Sequence, residues 1–276
     1  MNITPVVKQL LIINILFFIG SQLVPAAYDF FALYYPENDQ FKGWQLVTHM
    51  FMHAPIYPEN FKYISNISHI LFNMFALYSF GSALEHFWGG KKFLFFYISC
   101  GLGAALLHTG VNYYEIHSLL SDTGLKLSAS DTQLLLNADY STLFDGKGQM
   151  MAGEINTILE KANCTQQQFN SIVEATMISK TPMLGASGAV YGLLVAFAFM
   201  FPNAELAMLF IPIPIKAKYF VPGILAIDLF LGFKGSSIFG AGSTGIAHFA
   251  HIGGAITGFL MMWFWKKNQF NKNRWN

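Results

Sequence analysis

The sequence predicts an all-α membrane protein: a six-transmembrane helical bundle with a helical extramembrane insertion between spans three and four. Three observations predict it. Of the 276 residues, 54% are hydrophobic and only 11% charged, against about 25% charged in ordinary soluble domains. That leaves too little polar surface to coat a soluble globule. Six apolar stretches approach the roughly 20 residues a helix needs to cross a bilayer. They are about 9–27, 69–88, 93–112, 184–202, 218–235 and 246–265. Finally, the basic residues gather in loops that fall on one side of such a bundle.

The first stretch ends at Pro25-Ala26-Ala27, a small-residue pattern like a signal-peptide cleavage site. One lysine ahead of it and a long apolar run favour a retained span. Lys8 precedes span one, Lys91 and Lys92 separate spans two and three, and Lys216 and Lys218 separate four and five. Lys266, Lys267, Lys272 and Arg274 follow span six. Both termini are therefore expected in the cytoplasm, with the two longest loops outside. The outer segment 113–183 is polar and is expected to be an outward-facing loop or small helical cap within a single 1–276 membrane domain. Thr165-Gln166-Gln167-Gln168 reads as a capping box opening a helix, and a short helix is expected near 154–162. A net charge of +1 gives no electrostatic footing for nucleic acid. Cys100 and Cys164 make no disulfide framework.

Chemistry concentrates at the outer ends of three spans. Span four opens with Gly185-Ala186-Ser187-Gly188, which sets Ser187 at a helix N-terminus. Unpartnered amides and the helix dipole there favour a developing oxyanion. Span six carries His248 and His251, and an ionisable group at membrane depth is a functional candidate by default. Gly188 and Gly192 on span four, and Ala250, Gly254 and Gly258 on span six, form small-residue stripes that let two helices approach closely. Such contact brings a serine and an imidazole within proton-transfer reach. His69 and Asn73, one turn apart on span two, offer N–H donors that complete an oxyanion hole with the Ser187 amide. Tyr191, one turn below Ser187, is expected to stack on His251. Asp228 is the one acid well inside an apolar run. It is expected to make a local polar contact or to face a watery cavity, with no place as a third catalytic member.

In this order the motifs resemble the rhomboid family of intramembrane serine proteases. They are Trp44 in the first outer loop, His69-x-x-x-Asn73, Gly81-x-x-x-Glu85-x-x-x-Gly89, Gly185-x-Ser187-Gly188 with Tyr191, and Ala250-His251-x-x-Gly254-x-x-x-Gly258. The resemblance implies a Ser–His dyad open to the outside through a water-filled cavity, with Ser187 as nucleophile and His251 as base. It implies His69, Asn73 and the Ser187 amide as oxyanion donors, and Tyr191 as stacking partner. It also implies substrates that are transmembrane proteins, cut near the outer face of the lipid bilayer, with no cofactor and no metal. A bacterial-type inner membrane fits it. Three departures stand out, one of them the length of the 113–183 loop. Gln45 follows Trp44 where the family often has arginine, and Ala54 to Ser65 adds about a dozen residues to the first loop.

Other readings of the same residues are a catalytically inactive relative that binds membrane helices and a histidine-based metal-binding protein. The second draws on His49 with His53 and on His248 with His251, spaced for one helix face. No HExxH accompanies either pair, and no acid at depth. An aspartyl protease needs two membrane aspartates and has only Asp228.

Overall fold

The computed structural model describes residues 2–55, 62–146, 148–208, 211–234 and 246–269. Helix α1 (Pro5–Leu23) starts on proline, where the missing N–H is one that no helix can satisfy anyway. Its N-cap, Thr4, makes no side-chain cap bond. A buried glutamate from a later helix caps it instead. Glu85 accepts from Val6 N at 3.0 Å, Val7 N at 2.9 Å and Thr4 Oγ1 at 2.5 Å. The carboxylate thus satisfies orphan amides at the positive end of the helix dipole. Glu85→Ala strands these donors and is expected to cost about 2–3 kcal/mol. Denaturant unfolding in detergent micelles reads this loss, and an unchanged midpoint would refute the cap.

Helix α2 (Lys62–Ala76) passes through a π turn, Leu77–Gly81, into α3 (Ser82–Trp88), which carries Glu85. Gly89, at φ +76°, ends α3 and donates to the Glu85 carbonyl at 2.8 Å. That left-handed turn is the part of the Gly81–Glu85–Gly89 motif that requires glycine. Helix α4 (Gly90–Asp122) follows. It continues past residue 112, where span three was expected to end. Between Val111 and Asp122 the chain turns polar but holds neither glycine nor proline. Loss of hydropathy marks where a span leaves the membrane, not where its helix stops.

The chain separates into two compact units: Met1–Ala32 with Trp44–His108 and Met183–Asn276, and Leu33–Gly43 with Thr109–Pro182. The second holds three helices of the expected outer insertion: α5 (Ala129–Asn137), α6 (Glu154–Lys161) and α7 (Gln166–Lys180). They pack around buried Leu135, Leu159 and Ile172. The Thr165–Gln168 capping box forms as the sequence suggested. A second one, Ser128 with Asp131, opens α5. That helix was not expected from the sequence, although the Ser-x-x-Asp pattern signals it.

In the first unit, α8 (Ser187–Met200) leads to an antiparallel pair, β1 (Glu205–Met208) and β2 (Ile211–Lys216), with Glu205 opposite Lys216. Helix α9 (Ala217–Lys234) contains Pro222, and α10 (Ile246–Gln269) completes the described chain. Pro5–Leu23, Ile67–Trp88 and Gly90–Asp122 are long and apolar enough to cross a bilayer; the apolar α8 is shorter. The three remaining expected spans coincide with α8, α9 and α10, and the count of six stays an expectation from the sequence. Of the extra first-loop segment, residues 56–61 lie outside the described residues, as does the loop at 236–245.

Helices α8 and α10 touch backbone to backbone. A Cβ placed on Gly254 would sit 1.9 Å from the Gly188 carbonyl oxygen, and one on Gly258 would sit 2.8 Å from Gly192 Cα. Gly188 and Gly192 also admit Ala104 and Cys100 of α4. The expected small-residue stripes are therefore the contact that sets the two helices at their separation.

Candidate active site

Ser187 opens α8, two residues after a strained turn. Gly185 has φ +120°, a region that side-chain-bearing residues avoid, and its N–H donates to the His49 carbonyl at 2.9 Å. The start of α8 is thereby tied to the first outer loop. The first-turn amides that follow have no intrahelical acceptor.

The close α8–α10 contact brings Ser187, Tyr191 and His251 together. His251 Nε2 lies 2.8 Å from Ser187 Oγ. The Tyr191 ring stacks on the imidazole, with centroids 4.2 Å apart and planes 9° from parallel. His69 is close by, since a Cβ on Gly185 would lie 3.3 Å from His69 Cε1 and 3.6 Å from Ser187 Oγ. Asn73 is buried one turn further along α2, and its amide nitrogen donates to the His69 carbonyl at 2.8 Å. One of its two N–H donors is thus taken up within its own helix.

Asp228 corrects an expectation. The sequence offered it no place beside the serine and histidine. It is 3% exposed, and its Oδ2 lies 2.8 Å from His251 Nδ1. Its other oxygen meets His248 Nδ1. Asp228 and His251 belong to different helices, so no local spacing could pair them. The one available signal was an acid inside an apolar run, which is costly unless paired. Asp228, His248 and His251 hold potential metal-ligand atoms within 4.8 Å of one another. The two imidazole nitrogens and the two carboxylate oxygens already match as hydrogen-bond donors and acceptors, so the cluster is coherent without a cation.

The other histidine pair is divided between unrelated partners. His49 Nδ1 bonds the Gln45 carbonyl at 2.8 Å, and His53 Nε2 bonds Asn14 Oδ1 at 2.9 Å. Gln45, the residue where arginine is frequent in the resembling family, is fully buried, and its amide donates to the Asp29 carbonyl at 3.2 Å. Trp44 Nε1 donates to the Phe30 carbonyl at 2.8 Å. Together they fasten the first loop to the short helix Ala27–Phe31 that follows α1.

Burial pushes His49 down to about 4 and His53, which also faces His69, down to about 3, from an ordinary 6.5. Both are neutral in the folded loop at neutral pH. An unfolded chain binds protons at these positions below about pH 6.5, before the folded loop does. Stability is therefore expected to be full above that value and to fall as pH drops toward about 4. Melting in detergent at about pH 7.5 and about pH 4.5 measures it, and His53→Gln should flatten the slope. A midpoint that rises on acidification would contradict the assignment.

A family model described as Rhomboid domain matches residues 40–118 and 142–268. The chain is also 26% identical, over 237 residues, to an uncharacterized rhomboid protein of Schizosaccharomyces pombe that is named as mitochondrial. The match covers 82% of this chain and 52% of that protein, so the chain spans about half the length of the relative. A mitochondrial relative gives no support to the bacterial-type inner membrane expected from the sequence.

Proposed function

The chain belongs to the rhomboid family of integral membrane proteins, and on that premise we propose that it is an intramembrane serine endopeptidase that cuts transmembrane helices of substrate proteins near the outer membrane face. The observation that carries this is the 2.8 Å contact between His251 Nε2 and Ser187 Oγ at the start of α8. It is supported by the stacked Tyr191, which limits rotation of the imidazole.

In the proposed reaction Ser187 Oγ attacks the scissile carbonyl carbon while His251 Nε2 takes its proton. The oxygen that becomes negative is met by the Ser187 amide and by His69, with the remaining Asn73 donor in support. His251 then passes the proton to the departing amine, and water releases the acyl group by the same steps in reverse roles. A folded helix hides its carbonyls in i→i−4 bonds, so a substrate must unwind near the cut. Glycine, proline or polar residues there lower that cost. Lysine and arginine placement supports a topology with both termini in the cytoplasm and the serine toward the outside.

The test is cleavage of a single-span substrate in liposomes by the full chain, with and without chelator. Chelator-insensitive cleavage, with fluorophosphonate labelling that Ser187→Ala removes, supports the proposal. Labelling without cleavage of any helix offered would favour an inactive helix-binding relative. Loss of cleavage on chelation would favour the metal-binding alternative.

A further inference from the structure

The Ser187–His251 pair alone does not decide which imidazole nitrogen carries the proton. A histidine base works only if Nε2 is the bare nitrogen, and a free imidazole has no reason to stay in that form. Among the described residues, the groups facing His251 are Ser187 and Tyr191 from α8, His69 from α2, Asp228 from α9 and His248 one turn earlier on its own helix. Among these only Asp228 is a carboxylate, and an ionised carboxylate can only accept. It sits on the Nδ1 side of the ring, opposite the serine.

Resting on the function proposed above, we infer that Asp228 is the positioning residue of this site, with His248 as its anchor. Its Oδ2 accepts from His251 Nδ1–H at 2.8 Å and leaves Nε2 bare toward Ser187. Its Oδ1 is engaged by His248 Nδ1, so the carboxylate cannot rotate without losing a partner. Three helices then set one imidazole. α8 supplies the stacking ring, α10 the histidine, and α9 the acid that selects its tautomer. During acylation the Oγ–C bond forms as the Oγ–H proton moves to Nε2, making an imidazolium that donates from both nitrogens. Asp228 stays ionised and opposes the new positive charge, and the Nε2 proton leaves with the amine when the C–N bond breaks. No proton passes to Asp228.

Asn is the probing substitution because it keeps the volume but has one acceptor oxygen and one NH₂ group. It cannot accept from both imidazoles, and an NH₂ facing His251 enforces the unproductive tautomer. The experiment compares the full native chain, Ser187→Ala, His251→Ala, Asp228→Asn and His248→Gln in liposomes, reading kcat and KM for a single-span substrate and the rate of fluorophosphonate labelling. Asp228→Asn is expected to lower kcat by about 10²–10⁴-fold and labelling in proportion, with KM within about threefold of native. His248→Gln, which loosens the carboxylate without removing it, is expected to lower kcat by about tenfold at unchanged KM. If Asp228→Asn loses its cooperative melting, His248→Gln becomes the deciding variant, and native kcat there overturns the inference. Native kcat in Asp228→Asn, or a KM that worsens as much as kcat falls, overturns it as well. If Ser187→Ala still cleaves, the proposed function itself falls, which is a different result from either.

Discussion

Ser187→Ala is expected to lower kcat/KM for a single-span substrate by at least about 10⁴-fold, and His251→Ala by a similar factor. That is about 5.5 kcal/mol of transition-state stabilisation. The two losses should not add, because the serine and the imidazole act as one unit across the 2.8 Å contact. The double variant is expected to be no slower than either single one. Ser187→Ala should alter folding little, since Ser187 stands at a helix start rather than in the core. The assay is substrate cleavage in liposomes with melting as a control. Cleavage that survives Ser187→Ala with native rate would end the proposed mechanism.

Gly254→Ala, a single added carbon, is expected to damage both fold and chemistry. Its Cβ would lie 1.9 Å from the Gly188 carbonyl oxygen and 2.6 Å from the carbonyl carbon. A carbon and an oxygen need more than 3 Å, so α8 and α10 must part by more than an ångström along the seam that holds Ser187 to His251. Overpacking of this kind costs about 1–3 kcal/mol. A misplacement of about 1 Å between reacting groups costs about 100-fold in rate. Ile256→Ala, on an exposed part of the same helix, is the control and should leave the rate near native, within about 0.5 kcal/mol in stability. Native rate in Gly254→Ala would mean that the helix seam does not set the site geometry.

Residues that act within one helix turn were legible in the sequence. The Thr165 capping box, the N-terminal position of Ser187 and the Tyr191 ring one turn below it all follow from 3.6-residue periodicity. The pairing of Ser187 with His251 was legible for a different reason. Glycine stripes on both helices leave one close way to pack them, and that packing fixes which side chains meet. Other parts were not legible. Helix α4 outlasts its apolar run, because a helix ends on backbone signals and not on polarity.

What the sequence by itself determined is therefore the membrane class, the apolar helices and the serine–histidine pair, all carried by composition, period and small-residue spacing. What only the tertiary structure decided is which polar residues meet across helices, around that pair and elsewhere. Glu85 caps α1 from another helix, Gln45 locks the first loop, and Asp228 joins His251 to His248. Each of these depends on the rotation of one helix about its own axis relative to another. A lone polar residue in an apolar run leaves that angle open, and only packing closes it.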